Sequence, residues 1–279
     1  MVVGENPPRR ILVATDFSGP AGAAVARAAR LAGKHDAGLT VLHVLPEQLD
    51  IGLAGDIRDR LRIHVGDFSP EIAADISVRR GRVATEIAAE AADIAADLVV
   101  VGAHGGDWLA DLFLGSTAEN VVRSLPVPVL LVKQPAGSDY RTVMLAVDTS
   151  EASADAARFG DALTPAAEHI LVHSCTVVGE SLMRIYGASD EQIGRLCRTS
   201  TAVARAHVER LAEALTGPAR VIITEGHPPT RLVELCTAEG VDLVVTGTGA
   251  RSAASYALLG SVAQHLMRQS TADVLVVPA

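Results

Sequence analysis

Leu98 to Arg123 reads LVVVGAHGGDWLADLFLGSTAENVVR. An apolar run stops at Gly102, Gly105 and Gly106 follow, and Gly115-Ser116-Thr117 opens a helical pattern. This predicts a strand, a glycine-rich loop and a helix N-terminus. Glycine lets backbone approach a ligand closely and adopt positive φ. A helix start adds unpaired N–H groups and the positive end of its dipole, so the stretch is suited to holding an anion.

The same pattern returns as DLVVTGTGARSAASYALLGSVAQHLMR from Asp242 to Arg268. Gly247 lies 145 residues after Gly102, and Gly260-Ser261 lies 145 residues after Gly115-Ser116. ILVATDFS (Ile11 to Ser18) and MLAVDTS (Met144 to Ser150) also match, with Asp148 lying 132 residues after Asp16. The chain is therefore one unit written twice, the second copy about 13 residues longer in its middle. A repeat of this length is a duplicated domain.

Strand-like runs at Ile11–Ala14, Leu39–Leu45, Ala74–Arg79, Leu98–Gly102 and Pro128–Lys133 alternate with helical patterns, including 50–67 and 83–96. The second copy repeats the order, with strands at Val143–Val147, His169–Ser174, Ala219–Thr224, Leu243–Thr246 and Val274–Val277. Alternation of this kind predicts an α/β fold with a parallel sheet covered on both faces, and strands apolar throughout agree. The expected domains are residues 1–134 and 141–279, joined by the polar Pro/Gly segment 134–139 (QPAGSD). Pro126, Pro128 and Pro278 mark the last strand of each copy as an edge strand. Two apolar edges are expected to meet and pack the copies as a pseudo-two-fold pair.

The 279 residues carry a net charge of −9, which argues against general nucleic-acid binding. Although 49% of residues are hydrophobic, no apolar run approaches the roughly 20 residues of a membrane span. The N-terminal MVVGENPPRR has no apolar signal core, and the three cysteines lack zinc spacing. A reduced, cytoplasmic setting is the expectation.

Asp16 after the first strand, with Gly102-x-x-Gly105, nine residues, then Gly115-Ser116, resembles the ATP-binding signature of the universal stress protein family. The resemblance covers nearly the whole chain, as a tandem member. It implies two doubly wound five-stranded parallel sheets of strand order 3-2-1-4-5, with adenine nucleotide (ATP, ADP or AMP) where the first and fourth strands part. By that likeness Ala14 and Asp16 adjoin the adenosine moiety, and Val44 and Val101 line the adenine pocket. Gly102, His104 and Gly105 follow the ribose and phosphates, and Gly115, Ser116 and Thr117 bind phosphate oxygens. The second copy's counterparts are Asp148, Gly247, Gly260 and Ser261. There Ala250 replaces Gly105 and Ser174 replaces Val44, so that copy is expected to bind weakly or not at all.

Other readings of these residues stay open. Asp16 also suits capping of the helix starting near Gly19, and Ser116 with Glu119 forms a capping-box pattern. His104 suits a solvent-facing loop or a base, and His43 and His173 suit the core. No Lys or Arg lies between Gly105 and Gly115, whereas Asp107 and Asp111 do. Their charge would oppose a triphosphate, which predicts Mg²⁺ or Mn²⁺ dependence or a preference for AMP or ADP. Walker-type and GxGxxG loops are absent, and TDFSGPAG disfavours adenylating chemistry. The leading expectation is a stress-response protein that binds nucleotide and acts through conformation or assembly, with a protein partner, as a monomer with an internal pseudo-dimer or a homodimer. A slow ATPase and a module holding a lipid or metal in the second copy are the alternatives.

Overall fold

The computed structural model describes residues 6–48, 54–68, 72–103, 115–175, 186, 190–249 and 259–279. The first half runs β1 (Arg10–Ala14), α1 (Gly19–His35), β2 (Gly38–Leu45), α2 (Ala54–Phe68), β3 (Ala74–Arg80), α3 (Val83–Asp93), β4 (Leu98–Gly102), α4 (Ser116–Ser124) and β5 (Val129–Val132). The second runs β6 (Thr142–Ala146), α5 (Glu151–Leu163), β7 (Glu168–Cys175), α6 (Asp190–Ala214), β8 (Ala219–Glu225), α7 (Pro228–Ala238), β9 (Leu243–Gly247), α8 (Ser261–Gln269) and β10 (Asp273–Val277).

Each half has the strand order 3-2-1-4-5, but the two form one sheet, β3-β2-β1-β4-β5-β10-β9-β6-β7-β8. The expected packing of two edges is thus a hydrogen-bonded ladder. β5 and β10 pair antiparallel, with Leu130 opposite Leu275, while every other neighbouring pair is parallel. The prolines permit this because Pro128 precedes β5 and Pro278 follows β10, outside the paired residues. The edge reading holds for each half alone and fails for the whole sheet.

Parallel strands bury both faces, and the alternation along β1 shows it. Ile11 and Val13 belong to the core on the face covered by α1, α2, α5 and α6, whereas Leu12 belongs to the core on the face covered by α3, α4, α7 and α8. α1 stays close to the sheet because its inner face is alanine-rich, with Ala24, Ala28 and Ala29 buried.

Two polar clusters tie the halves together on opposite faces. On one face Asp273, wholly buried, accepts hydrogen bonds from the Lys133 and Gln134 amides (2.8 and 2.9 Å) and the Tyr140 hydroxyl (2.5 Å). Arg27 lies 3.5 Å from the same carboxylate, stacks over the Tyr140 ring and donates to the Ser138 carbonyl. On the other face Glu119 accepts from Arg123, Arg268 and Gln264. Glu119 and Gln264 are repeat counterparts, as are Arg123 and Arg268. The duplicated chain thus places one carboxylate, not two, against a pair of guanidinium groups.

Candidate functional site

β1 is flanked by β2 on one side and β4 on the other, so the chain parts to opposite faces at their carboxyl ends. This is the switch point where doubly wound sheets leave room for a ligand. Ala14 ends β1 and Asp16 follows, exposed. The Asp16 Oδ1 accepts the Ser18 amide (2.9 Å), and Ser18 itself caps α1, its Oγ accepting the Ala21 amide. The helix-cap reading of Asp16 therefore passes to Ser18. The second half repeats the device: Asp148 accepts from Ser150, and Ser150 caps α5. Partial burial works to raise the Asp148 carboxyl, but hydrogen bonds from Ser150 and Ser153 and the nearby His173 hold it below its ordinary value.

Gly102 ends β4 where a Cβ would lie 3.1 Å from the Pro20 backbone. Its need for glycine is thus close approach to the start of α1, not positive φ. Gly115 occupies the N-cap of α4 in extended backbone, its amide donating to the Ala103 carbonyl. The first helical bond runs from the Glu119 amide to Gly115, which places the Ser116, Thr117 and Ala118 amides ahead of it. Ser116 is consequently the first helical residue, and the expected capping box does not form. The Glu119 carboxylate turns to the arginines, Arg268 and then Arg123 holding it below its ordinary value. Charge-assisted bonds of this kind are stronger than a bond to a neutral amide. Val44 and Thr117 line an open groove of about 810 Å³ with Arg82 and Asn120. Val101 is buried in β4. The expected contacts at His104 and Gly105, with Asp107 and Asp111, lie outside the described residues.

In the second half, Asp148, Gly247, Gly260 and Ser261 line one cavity of about 240 Å³ together with His173 and Gly249. Gly249 has φ 96, so left-handed backbone is available one residue before Ala250, which lies outside the described residues. The Ser174 hydroxyl, expected as a polar change in the adenine wall, donates to the Gly226 carbonyl. Sequence reasoning placed His43 and His173 in the core. Each instead pins the end of the first strand of its half, their Nδ1 atoms donating to the Thr15 and Val147 carbonyls, both at 2.8 Å. Their matched place in the repeat was the available signal. His169 is buried and bonds Thr164 through Nε2. Among the described residues no group of three His, Cys, Asp or Glu is placed to hold a metal ion, and no helix is long and apolar enough to cross a membrane.

The sequence profile of the universal stress protein family matches residues 8–133 and again residues 139–278. The chain belongs to the universal stress protein family. A universal stress protein of Mycolicibacterium smegmatis is 29% identical over 96% of both chains. One from Methanocaldococcus jannaschii is 30% identical, covering 47% of this chain and 86% of its own. Among solved structures, a universal stress protein from Archaeoglobus fulgidus superposes with a TM-score of 0.67 at 19% identity, covering 99% of this chain and 98% of its own. A protein of unknown function from Pseudomonas aeruginosa does so with a TM-score of 0.69 at 20% identity, covering 98% of this chain and 94% of its own. These two share the tandem universal stress protein fold.

Proposed function

We propose that this tandem universal stress protein binds an adenine nucleotide, ATP, ADP or AMP, at the switch point of its first half. It then acts in the cytoplasm through conformation or assembly with a protein partner. The observation that carries this reading is the start of α4. The Ser116, Thr117 and Ala118 amides precede the first helical bond, and Thr117 opens onto the same groove as Val44. A phosphate meets unpaired N–H groups and a helix dipole there, while an apolar wall faces the base. Asp16 stands at the end of β1 to accept a hydrogen bond from the sugar. Because the loop supplies Asp107 and Asp111 and no cation of its own, Mg²⁺ or Mn²⁺ accompanies a triphosphate. No residue of this arrangement is a clear general base for hydrolysis, so turnover is slow or absent.

The second half binds more weakly. Its cavity of about 240 Å³ is smaller than the usual ligand pocket of roughly 300–1,000 Å³. It therefore suits a nucleoside or monophosphate better than a triphosphate. The test is nucleotide-dependent thermal protection. Free nucleotide at about 100 times Kd stabilises by about 2.7 kcal/mol, and Gly102→Val, which forces a side chain against Pro20, abolishes the gain. Full protection surviving Gly102→Val would exclude the first-half site.

A further inference from the structure

One bulky residue beside the candidate site sits in left-handed backbone. Phe17, next to Asp16, has φ 67, a conformation a large side chain holds only when its surroundings enforce it. Its amide donates to the Thr15 hydroxyl oxygen (3.1 Å). That buried hydroxyl makes one further contact, 3.1 Å from Nε2 of His64 on α2. Having accepted the Phe17 amide, the hydroxyl has His64 Nε2 as its proton's acceptor among the described residues. In its neutral form with the ring proton on Nδ1, His64 accepts that proton at Nε2. The Phe17 ring packs against His43 (4.6 Å) and the edge of His64 (5.4 Å), under the Arg60 guanidinium. Phe68 stacks edgewise on His64 in turn. Thr15 is thus gripped at both its carbonyl, by His43, and its hydroxyl, by His64.

The second half lacks this grip. Val147 stands in place of Thr15 and Thr149 in place of Phe17, and among the described residues only His173 reaches across. Among the described residues, the left-handed non-glycines are Phe17, Asp36 and Ala95, so Thr149 is not held this way.

We propose that His64 is a positioning residue for the first-half nucleotide site: in its neutral form it takes the Thr15 hydroxyl proton, holds Phe17 in its left-handed turn and so fixes the direction in which Asp16 presents its carboxylate. The inference rests on the nucleotide reading above. Protonation of His64 removes the acceptor of the hydroxyl proton and puts an N–H in its place, so the Thr15 hydroxyl must turn its proton elsewhere. The charged groups around the ring are Asp67 and Arg60 from α2 and Asp16 from the turn after β1, with His43 of β2 behind Phe17. Burial holds His64 below its ordinary value, with Asp67 opposing and Arg60 assisting.

The experiment titrates the full-length chain with Mg-ATP from about pH 8 to about pH 5.5, spanning imidazole ionisation. Wild type, His64→Leu, His64→Gln and Thr15→Val are compared. His64→Leu is expected to bind about tenfold more weakly at the alkaline end, the scale of one hydrogen bond. His64→Gln, whose Oε1 accepts the same proton, keeps most of the affinity. Thr15→Val, the residue the second half carries at this place, reproduces the loss in a fold-compatible side chain. Phosphate ionisation is common to all four, so the excess acid sensitivity of wild type over His64→Gln reports His64. Wild-type affinity and pH profile in His64→Leu and Thr15→Val would overturn this inference alone. Absence of nucleotide binding by the wild type at every pH would overturn the underlying reading and this inference with it.

Discussion

Ala95 follows α3 with φ 50, and its counterpart in the second half is Gly240 with φ 61. Both belong to the same helix ending, in which the next amide reaches back over the last turn, Ala96 to Ala91 and Val241 to Cys236. That position favours glycine, because a Cβ there crowds the following carbonyl at a cost of roughly 1–2 kcal/mol. Ala95→Gly is therefore expected to stabilise the protein by about 0.5–1 kcal/mol, the relief of strain exceeding the added freedom of the unfolded chain. Urea unfolding checks it, and an unchanged or lowered midpoint would contradict it. Such single positions are unevenly legible in sequence. Asp16 and Gly102 stood out because both recur in the second copy. Ser18 as the cap of α1 was two residues away from the expected one, because Asp16 spends its oxygen on a turn before the helix begins. His64 carried no signal, since its role depends on a long-range contact with Thr15.

At the scale of elements, the junction of β5 and β10 holds the two halves, and Asp273 at the head of β10 is its polar anchor. Burial pushes this carboxyl up, while the Tyr140 hydroxyl, the Lys133 and Gln134 amides and Arg27 pull it back. Asp273→Ala strands the Arg27 guanidinium and two amides in a dry interior. It is expected to cost about 3–5 kcal/mol, as breaking a buried pair does. Tyr140→Phe is expected to cost about 1.5–3 kcal/mol, a hydrogen bond to a charged group. Chemical denaturation of the two variants measures both, and a loss under about 1 kcal/mol for Asp273→Ala would contradict the anchor role. The strands were legible because the apolar runs are written twice, and their order within each half followed from the family resemblance. The antiparallel ladder was not, since prolines that flank a strand read in sequence like prolines that bar its pairing.

Across the whole molecule, three histidines on the α1/α2/α5 side of the sheet share one electrostatic character. Burial is the leading cause that holds His35, His64 and His169 below their ordinary value. Below about pH 6.5 the unfolded chain takes up protons that the folded chain refuses, so stability is full above that pH and falls as acid is added. Asp273 works in the opposite sense, its contribution being lost as pH rises through its raised value. Thermal unfolding at about pH 7.5 and about pH 5.5 is expected to show the lower Tm in acid, within the histidine window. Equal values would remove the histidine account.

The duplication also makes the functional account testable as a count. The first half has the Gly102 contact and an open groove beside the α4 amides, while the second has a smaller cavity. Isothermal titration of the full chain with ATP, ADP and AMP, with and without EDTA, reads this directly. The account predicts one tight site per chain, lost in Gly102→Val, with ATP requiring the divalent cation. Two equal sites that survive Gly102→Val, or tightest ATP binding in EDTA, would contradict it.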